Sequence, residues 1–325
     1  MVSLKDIKGQ SNAVRFLEGS LASSRIANSY LFTGCEGVGR ALAAKAFIAR
    51  LMCREGSGRD ACLICPSCRR VETLEHPDLL WIKPDKNKAI KIDEIRKAKD
   101  VLNLKAYEAP VNVSVIEDSH MMTQEAANAL LKVLEEPPGE SLLILITHKK
   151  ELLAETVISR CAEVRFQPLS PGETKDIILE KADISEESAW FLACFSQGSP
   201  GKALQMLEEG LDKRKESIVS LAGEIAREEN ASCMNWSSEN KDALLEDVDM
   251  LIMFFRDIAL AREGLKRMVL DNSLMESEMY RFFKNYSSER IFGIVERLID
   301  TRRALLGNVN PKLVAQALAG AIKST

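Results

Sequence analysis

Histidine is scarce in this 325-residue chain, with three copies, and aromatic residues make up 6% of it. There is no histidine ligand pair, which excludes a zinc finger that reads DNA through a metal-bound helix. No run of about 18 uncharged apolar residues occurs, so a membrane-spanning helix is excluded. The first ten residues carry Lys5, Asp6 and Lys8 and no apolar core. They do not read as a signal peptide, and the chain is expected in the cytoplasm. A surplus of one charge is also missing. Lys and Arg total 44 against 48 Asp and Glu, a net charge of −4. Of these, 24 basic and 22 acidic residues precede Phe166, and 20 and 26 follow it. Neither part can coat nucleic acid by charge alone, so any DNA contact is local or shared with partners. What is present is an ordinary globular balance, 46% hydrophobic and 28% charged, in a chain long enough for two or three domains.

The residue pattern changes character at about Pro168. Before it, short apolar strands alternate with helices. Strands are expected at 29–33, 78–83, 111–117, 142–147 and 162–166. Helices are expected from Arg40 to Arg50, from Glu94 to about Leu102 with Asp93 as its cap, and from Gln124 to Glu135 ahead of Pro137 and Pro138. Such alternation predicts a doubly wound parallel sheet of the α/β class. After Pro168 the strand signals stop. Short helices are expected from Gly172 to about Gly210. Long amphipathic helices follow at 241–263 and 288–306, with a polar loop at 230–242 and a last helix after Asn310-Pro311.

Two stretches carry chemistry. The first strand runs into Gly34-Cys35-Glu36-Gly37-Val38-Gly39-Arg40-Ala41. A working phosphate-binding loop is G-x-x-x-x-G-K-[ST], whose lysine reaches the outer phosphates and whose hydroxyl holds Mg²⁺. Here the glycine spacing and the strand–loop–helix context are right. Arg40 replaces the lysine, Ala41 offers no oxygen, and Glu36 puts a negative charge where phosphates would sit. An ordinary glycine turn is the alternative. The third strand ends in Glu117-Asp118, an acidic pair of the kind that holds Mg²⁺, in reversed order. The second stretch is the cysteines. Eight are present, and Cys53, Cys62, Cys65 and Cys68 fall within 16 residues. In a cytosolic chain this clustering reads as a metal site before disulfides. Four thiolates at Cys-x8-Cys-x2-Cys-x2-Cys suit tetrahedral Zn²⁺ with no position left for water, hence a structural module at about 53–68. His76 and Trp81 read as packing residues, and Met121 and Met122 as the edge of a core.

The order of these features resembles the clamp-loader subunits of bacterial DNA polymerase III, of the AAA+ class. The resemblance covers nearly the whole chain. It is carried by Gly9-Gln10, by Ser29-Tyr30-Leu31-Phe32-Thr33-Gly34, and by the four-cysteine module followed by His76-Pro77-Asp78. Ile92-Asp93-Glu94-Ile95-Arg96 and the run Ala126 to Pro138 (Ala-Ala-Asn-Ala-Leu-Leu-Lys-Val-Leu-Glu-Glu-Pro-Pro) continue it. Ser159-Arg160-Cys161, Gly198-Ser199-Pro200-Gly201-Lys202-Ala203-Leu204 and Asn308-Val309-Asn310-Pro311-Lys312-Leu313 complete it.

The resemblance implies an AAA+ nucleotide-binding-type domain at 1–167, a helical lid at 168–210 and a helical collar for oligomerisation at 211–325. It implies that Arg160, between Ser159 and Cys161, is an arginine finger for a neighbour's ATP site. It places the sensor-two position at Gly201, beside Lys202, and the sensor-one position near Thr147 and His148. With Arg40, Ala41 and the reversed Glu117-Asp118, several ATP-site elements are altered. The chain is therefore expected not to hydrolyse ATP and to serve as a stationary subunit; passive ATP or ADP binding stays open. The implied partners are the gamma/tau motor subunits, the delta subunit, the sliding clamp and primed DNA, with Arg96 as a candidate DNA contact or, alternatively, part of a solvated basic face. An active motor of the gamma/tau type is the competing reading. Arg40, Ala41 and the lack of a long extension after the collar disfavour it. A free-standing zinc-dependent DNA-binding regulator is disfavoured by the net charge.

Overall fold

The computed structural model describes residues 3–55, 60–85, 88–212, 241–265 and 278–307, together with 214, 217, 218, 220, 223, 309, 310 and 314. They divide into two compact units. One comprises residues 1–173 with 198–202, and the other comprises 174–197 with the chain from 203 onward. Residues 230–240 of the expected loop and most of the Asn308–Leu313 stretch lie outside the described residues, while Lys241 and Asp242, expected to end that loop, already belong to a helix.

The first unit is built on five parallel strands: β1 (Ser29–Thr33), β2 (Leu79–Ile82), β3 (Asn112–Ile116), β4 (Ser141–Thr147) and β5 (Ala162–Arg165). Their order is β2-β3-β4-β1-β5. Every pairing is parallel, with Phe32 opposite Ile146 and Val115 opposite Ile144. β1, β3 and β4 are buried at every position because both faces are covered, while the edge strand β5 carries Glu163 and Arg165. Side chains alternate between the faces along each strand. Tyr30, Phe32, Leu142, Ile144 and Ile146 pack with Leu17, Ala43 and Phe47 from helices α1 (Ser11–Ala22) and α2 (Arg40–Met52). Leu31, Leu143 and Leu145 pack on the opposite face. There they meet Ile95 and Leu102 of α4 (Ile92–Asn103) and Leu130 and Val133 of α5 (Gln124–Glu135). Burial of each such Leu, Ile or Phe contributes about 1.5–3 kcal/mol.

The α4 boundary differs from the expectation. Asp93 does not cap it; the helix starts at Ile92 with Lys91 as N-cap, and the Glu94 carboxylate accepts the Lys91 N–H at 2.8 Å. Asp93 lies in the first turn, where an acidic side chain suits the helix dipole, and pairs with Arg96.

Buried polar groups tie the loops to this sheet. Asp78 accepts backbone N–H bonds from Tyr107, Glu108 and Ala109 at 2.6, 2.9 and 2.8 Å. Burial alone would raise its pKa, but these three donors outweigh it and hold the carboxyl below its usual range. His76 is buried as expected of a packing residue. Its Nδ1 accepts the Asp78 N–H, so Nε2 carries the proton and donates to Ser67 Oγ at 3.0 Å. Gln10 is buried too: its side-chain amide donates to Gln167 O at 2.7 Å and accepts the Gln167 N–H at 3.0 Å. These bonds join the start of α1 to the exit of β5.

In the second unit, helices α7 (Pro171–Lys181), α8 (Glu186–Phe195) and α9 (Pro200–Glu208) contribute from position 174 on, except for the start of α9. They share a core with α10 (Lys241–Arg262), α11 (Glu278–Phe283) and α12 (Ser288–Leu306). Phe254, Phe255 and Phe283 form its centre, with Phe255 and Phe283 edge-to-face at 4.9 Å. No helix among the described residues is long and apolar enough to cross a membrane.

Glu163 on β5 accepts from Thr33 Oγ1 at 3.0 Å, Lys150 Nζ at 2.8 Å and Arg165 Nη2 at 2.9 Å. Partial burial opposes ionisation, but these partners pull its pKa down to about 2. The folded pKa is below the unfolded one. The stabilisation is therefore complete above the unfolded carboxyl value and is lost as pH falls toward about 2. Urea melts from pH 5 to pH 2 should show a steeper loss of stability for the wild-type chain than for Glu163→Gln. Parallel curves would remove Glu163 from the acid response.

Candidate functional site

The strand order brings the carboxyl ends of β1, β3 and β4 side by side. In open α/β sheets, ligands bind outside these strand ends, where the strand order reverses. The glycine loop leaves β1 with positive φ at Gly34, Gly37 and Gly39, and α2 starts at Arg40. The loop therefore has the shape of a phosphate cradle at a helix N-terminus. Two of its carbonyls are engaged as acceptors. Ser199 Oγ donates to Glu36 O at 2.6 Å, and Gly201 N–H donates to Gly37 O at 2.9 Å. A Cβ on Gly201 would lie 2.8 Å from Gly37 Cα, and one on Gly37 would lie 2.3 Å from Ser199 Oγ. The two backbones touch, so this arrangement has room for no side chain at position 201.

Arg40 is 6% exposed, and its Nη1 has no hydrogen-bond partner. Burial pulls its pKa down, opposed first by the charge of Asp118 and then by Glu36 and Glu117. The acidic pair after β3 is split between two environments. Glu117 faces β2, accepting Trp81 Nε1–H at 3.0 Å and pairing with Lys83 Nζ at 3.4 Å. Trp81 is thus a packing residue with its indole N–H satisfied. Asp118 adopts a left-handed backbone conformation, which Asp tolerates, and faces His148, with Oδ1 at 3.3 Å from Nδ1. The His120 ring lies edge-on to His148 at 4.4 Å, and its Nδ1 is 3.2 Å from Thr147 Oγ1. Burial, then His148, lower the His120 pKa, with Lys149 and Arg40 adding to this against the pull of Asp118. The sequence reading singles out Thr147, His148 and Asp118 but misses His120. The available signal was that two of the three histidines follow the ends of β3 and β4.

The four cysteines converge as expected. Their Sγ atoms all lie within 4.8 Å of one another, with Cys62 and Cys68 Sγ 4.0 Å apart. A tetrahedral zinc at ~2.3 Å from each sulfur needs S···S separations of about 3.8 Å. Backbone N–H groups of Cys62, Cys65 and Cys68 point at Cys53, Cys62 and Cys65 Sγ respectively, at 3.3–3.4 Å. Donors from Ile64 and Cys65 bring the Cys62 thiol down to about 7, whereas burial pushes Cys68 up. Pro66 and Cys68 start helix α3 (Pro66–Thr73), with Cys65 as its N-cap. The donor set fits zinc and leaves no open coordination position.

Arg160 follows the short helix α6 (Glu155–Ile158). Its Nη2 pairs with Glu135 Oε1 at 2.8 Å, and its Nη1 donates to Thr156 O at 3.0 Å. Its carbonyl accepts from Ser29 Oγ at 2.8 Å, which anchors the backbone to β1. Ser159 is exposed, while burial raises the Cys161 thiol to about 11 and leaves it unreactive. Ser29 opens β1 and the glycine loop leaves its other end, so the Arg160 backbone lies at the opposite end of that strand from the loop. Arg96 is exposed on α4 and paired with Asp93 at 2.9 Å. Met121 and Met122 pack at the edge of the α4–α5 core, as expected.

Comparison with known proteins places this geometry. Residues 9–170 match the family described as DNA polymerase III, delta subunit, and residues 208–319 match DNA polymerase III, delta subunit, C terminal. The chain is 26% identical over 307 residues to DNA polymerase III subunit delta' of Bacillus subtilis (strain 168), covering 93% of this chain and 92% of that protein. It is 30% identical over 219 residues to subunit delta' of Pseudomonas aeruginosa, covering 65% of this chain and 66% of that protein. It is 28% identical over 232 residues to subunit tau of Bacillus subtilis, covering 70% of this chain and 39% of that protein. The chain thus belongs to the delta' family of DNA polymerase III subunits, which are clamp-loader proteins.

Proposed function

We propose that this clamp-loader subunit does not hydrolyse ATP itself and acts as a stationary member of the ring that completes a neighbour's ATP site. The observation that carries the reading is the backbone contact between Gly37 and Gly201, which bars a side chain at position 201. Arg40 in place of lysine, Ala41 in place of a hydroxyl and the diversion of Glu117 to Trp81 and Lys83 support it. In this reading Arg160 is the finger. Its backbone is anchored to β1, while its guanidinium is half exposed and held by a surface glutamate. Arginine fingers stabilise charge on a transferring phosphoryl group. The proposed division of labour is an AAA+ domain at 1–167, a lid at 168–210 and a collar at 211–325 that joins gamma/tau and delta subunits. The sliding clamp and primed DNA are met through the assembled ring, and Arg96 contributes to the DNA-facing side. Zn²⁺ at Cys53, Cys62, Cys65 and Cys68 is a structural staple.

The purified chain should show no Mg²⁺-dependent ATP turnover above background. Turnover that disappears on addition of EDTA would instead make it a motor of the gamma/tau type.

Metal analysis should return about one tightly held Zn²⁺ per chain, released by thiol-modifying reagents. Cys65→Ser should lose that ion and loosen residues around 53–73 while keeping the far-ultraviolet signature of the sheet and helices. A metal-free wild-type chain of unchanged stability would remove the zinc site.

Arg160→Ala should fold and still enter a reconstituted complex. A finger is worth ~10³–10⁵ in rate at its site, about 4–7 kcal/mol. Clamp-stimulated ATP turnover of the complex should fall by the share of one site, and clamp loading should fall with it. Wild-type turnover and loading in the Arg160→Ala complex would refute the finger.

A further inference from the structure

We propose that Asp118, His120 and His148 form a second divalent-metal site, of the two-imidazole, one-carboxylate class, at the carboxyl ends of β3 and β4. It lies apart from the cysteine module and does not depend on the arginine-finger reading.

One ligand atom from each of these three residues lies within 4.8 Å of the other two. This proximity comes from long-range folding: Asp118 and His120 belong to the turn after β3, and His148 follows β4. His148 Nδ1 is buried and has no hydrogen-bond partner, although Asp118 Oδ1 is 3.3 Å away. A buried nitrogen without a proton acceptor or donor in good geometry is costly, and a metal ion would satisfy it. The second imidazole has a supporting partner. When His120 Nδ1–H donates to Thr147 Oγ1, Nε2 is left with its lone pair for a cation. Thr147 is itself fixed, accepting the Lys149 N–H at 3.0 Å. Ser119 Oγ, donating to Ile146 O at 3.2 Å, pins the turn that carries His120 against β4.

The donor set selects the ion. Two imidazoles and one carboxylate suit Zn²⁺, Co²⁺ or Ni²⁺ and not Mg²⁺, which demands oxygen ligands. Charge sets the rank of the site. One carboxylate leaves a bound divalent ion with net positive charge, and Arg40 and Lys149 both act on this cluster. The four-thiolate module carries more compensating charge, so it fills first. The second site fills afterwards, with coordination positions open to water or an anion.

The test uses the full chain with its cysteine module saturated with Zn²⁺, titrated with Co²⁺ in a non-coordinating buffer. The chain has three histidines, so imidazole ¹⁵N NMR resolves every candidate, and His76, buried against Ser67, is an internal control. Co²⁺ should shift or broaden His120 and His148 and spare His76. It should give weak visible bands without thiolate charge-transfer absorption. His120→Gln and His148→Asn, tested separately, should each weaken Co²⁺ binding by more than about tenfold, since loss of an outer-sphere partner alone costs ~10–100-fold. Thr147→Val should weaken it by a smaller factor. The proposal is overturned if neither imidazole responds or if both variants bind Co²⁺ as the wild type does. It is also overturned if the signal carries thiolate absorption and disappears in Cys65→Ser.

Discussion

Burial of one parallel sheet on both faces is the constraint on which the first unit depends. Strands whose alternate residues face two different helical layers cannot slip by one position without exchanging the layers. Tyr30 and Phe32 must meet α2, and Leu31 must meet the α4–α5 side. That register fixes where each strand ends. The ends of β1, β3 and β4 then present the glycine loop, Asp118 and His148 to a common region.

What occupies that region follows from charge and close backbone contact. A buried guanidinium stands where a nucleotide-binding loop has its lysine, and a carboxylate from the next strand end supplies the leading opposite charge. The glycine loop keeps its curvature, yet Ser199 and Gly201 use its carbonyls as acceptors. Glycine at positions 37 and 201 is required because the two backbones approach closely. The same pair of glycines that permits this contact leaves no room for a side chain at position 201.

Outside the glycine loop, the polar groups that stand out are Arg160 and two clusters of metal-type ligands. Arg160 is held at the outer end of α5 by Glu135, an exposed pair worth little in stability, so its release costs little. The cysteine module is an excursion between α2 and β2 that has few apolar side chains of its own to bury. A metal is the efficient way to order such a segment. The His76–Ser67 bond and the Asp78 cradle join its far side to the sheet.

Local pattern made the five strands and helices α2, α4 and α5 legible, whereas α1 and α3 went unread. Apolar strands of four to seven residues between helices with 3.6-residue periodicity admit one class of fold, and Cys-x2-Cys spacing places thiolates on one turn whatever surrounds it. The glycine loop was legible for the same reason, being local, whereas Ser159-Arg160-Cys161 was singled out only by the family resemblance. Helix α4 shows the limit of local reading, since Asp93 and Lys91 are both near its start and only the Glu94 bond decides between them. Tertiary structure alone decided the rest. Contact between Gly37 and Gly201 joins residues far apart in the chain, and so does the meeting of Asp118 and His120 with His148. No periodicity records such meetings, because they are set by strand order, which is a property of the whole packed sheet.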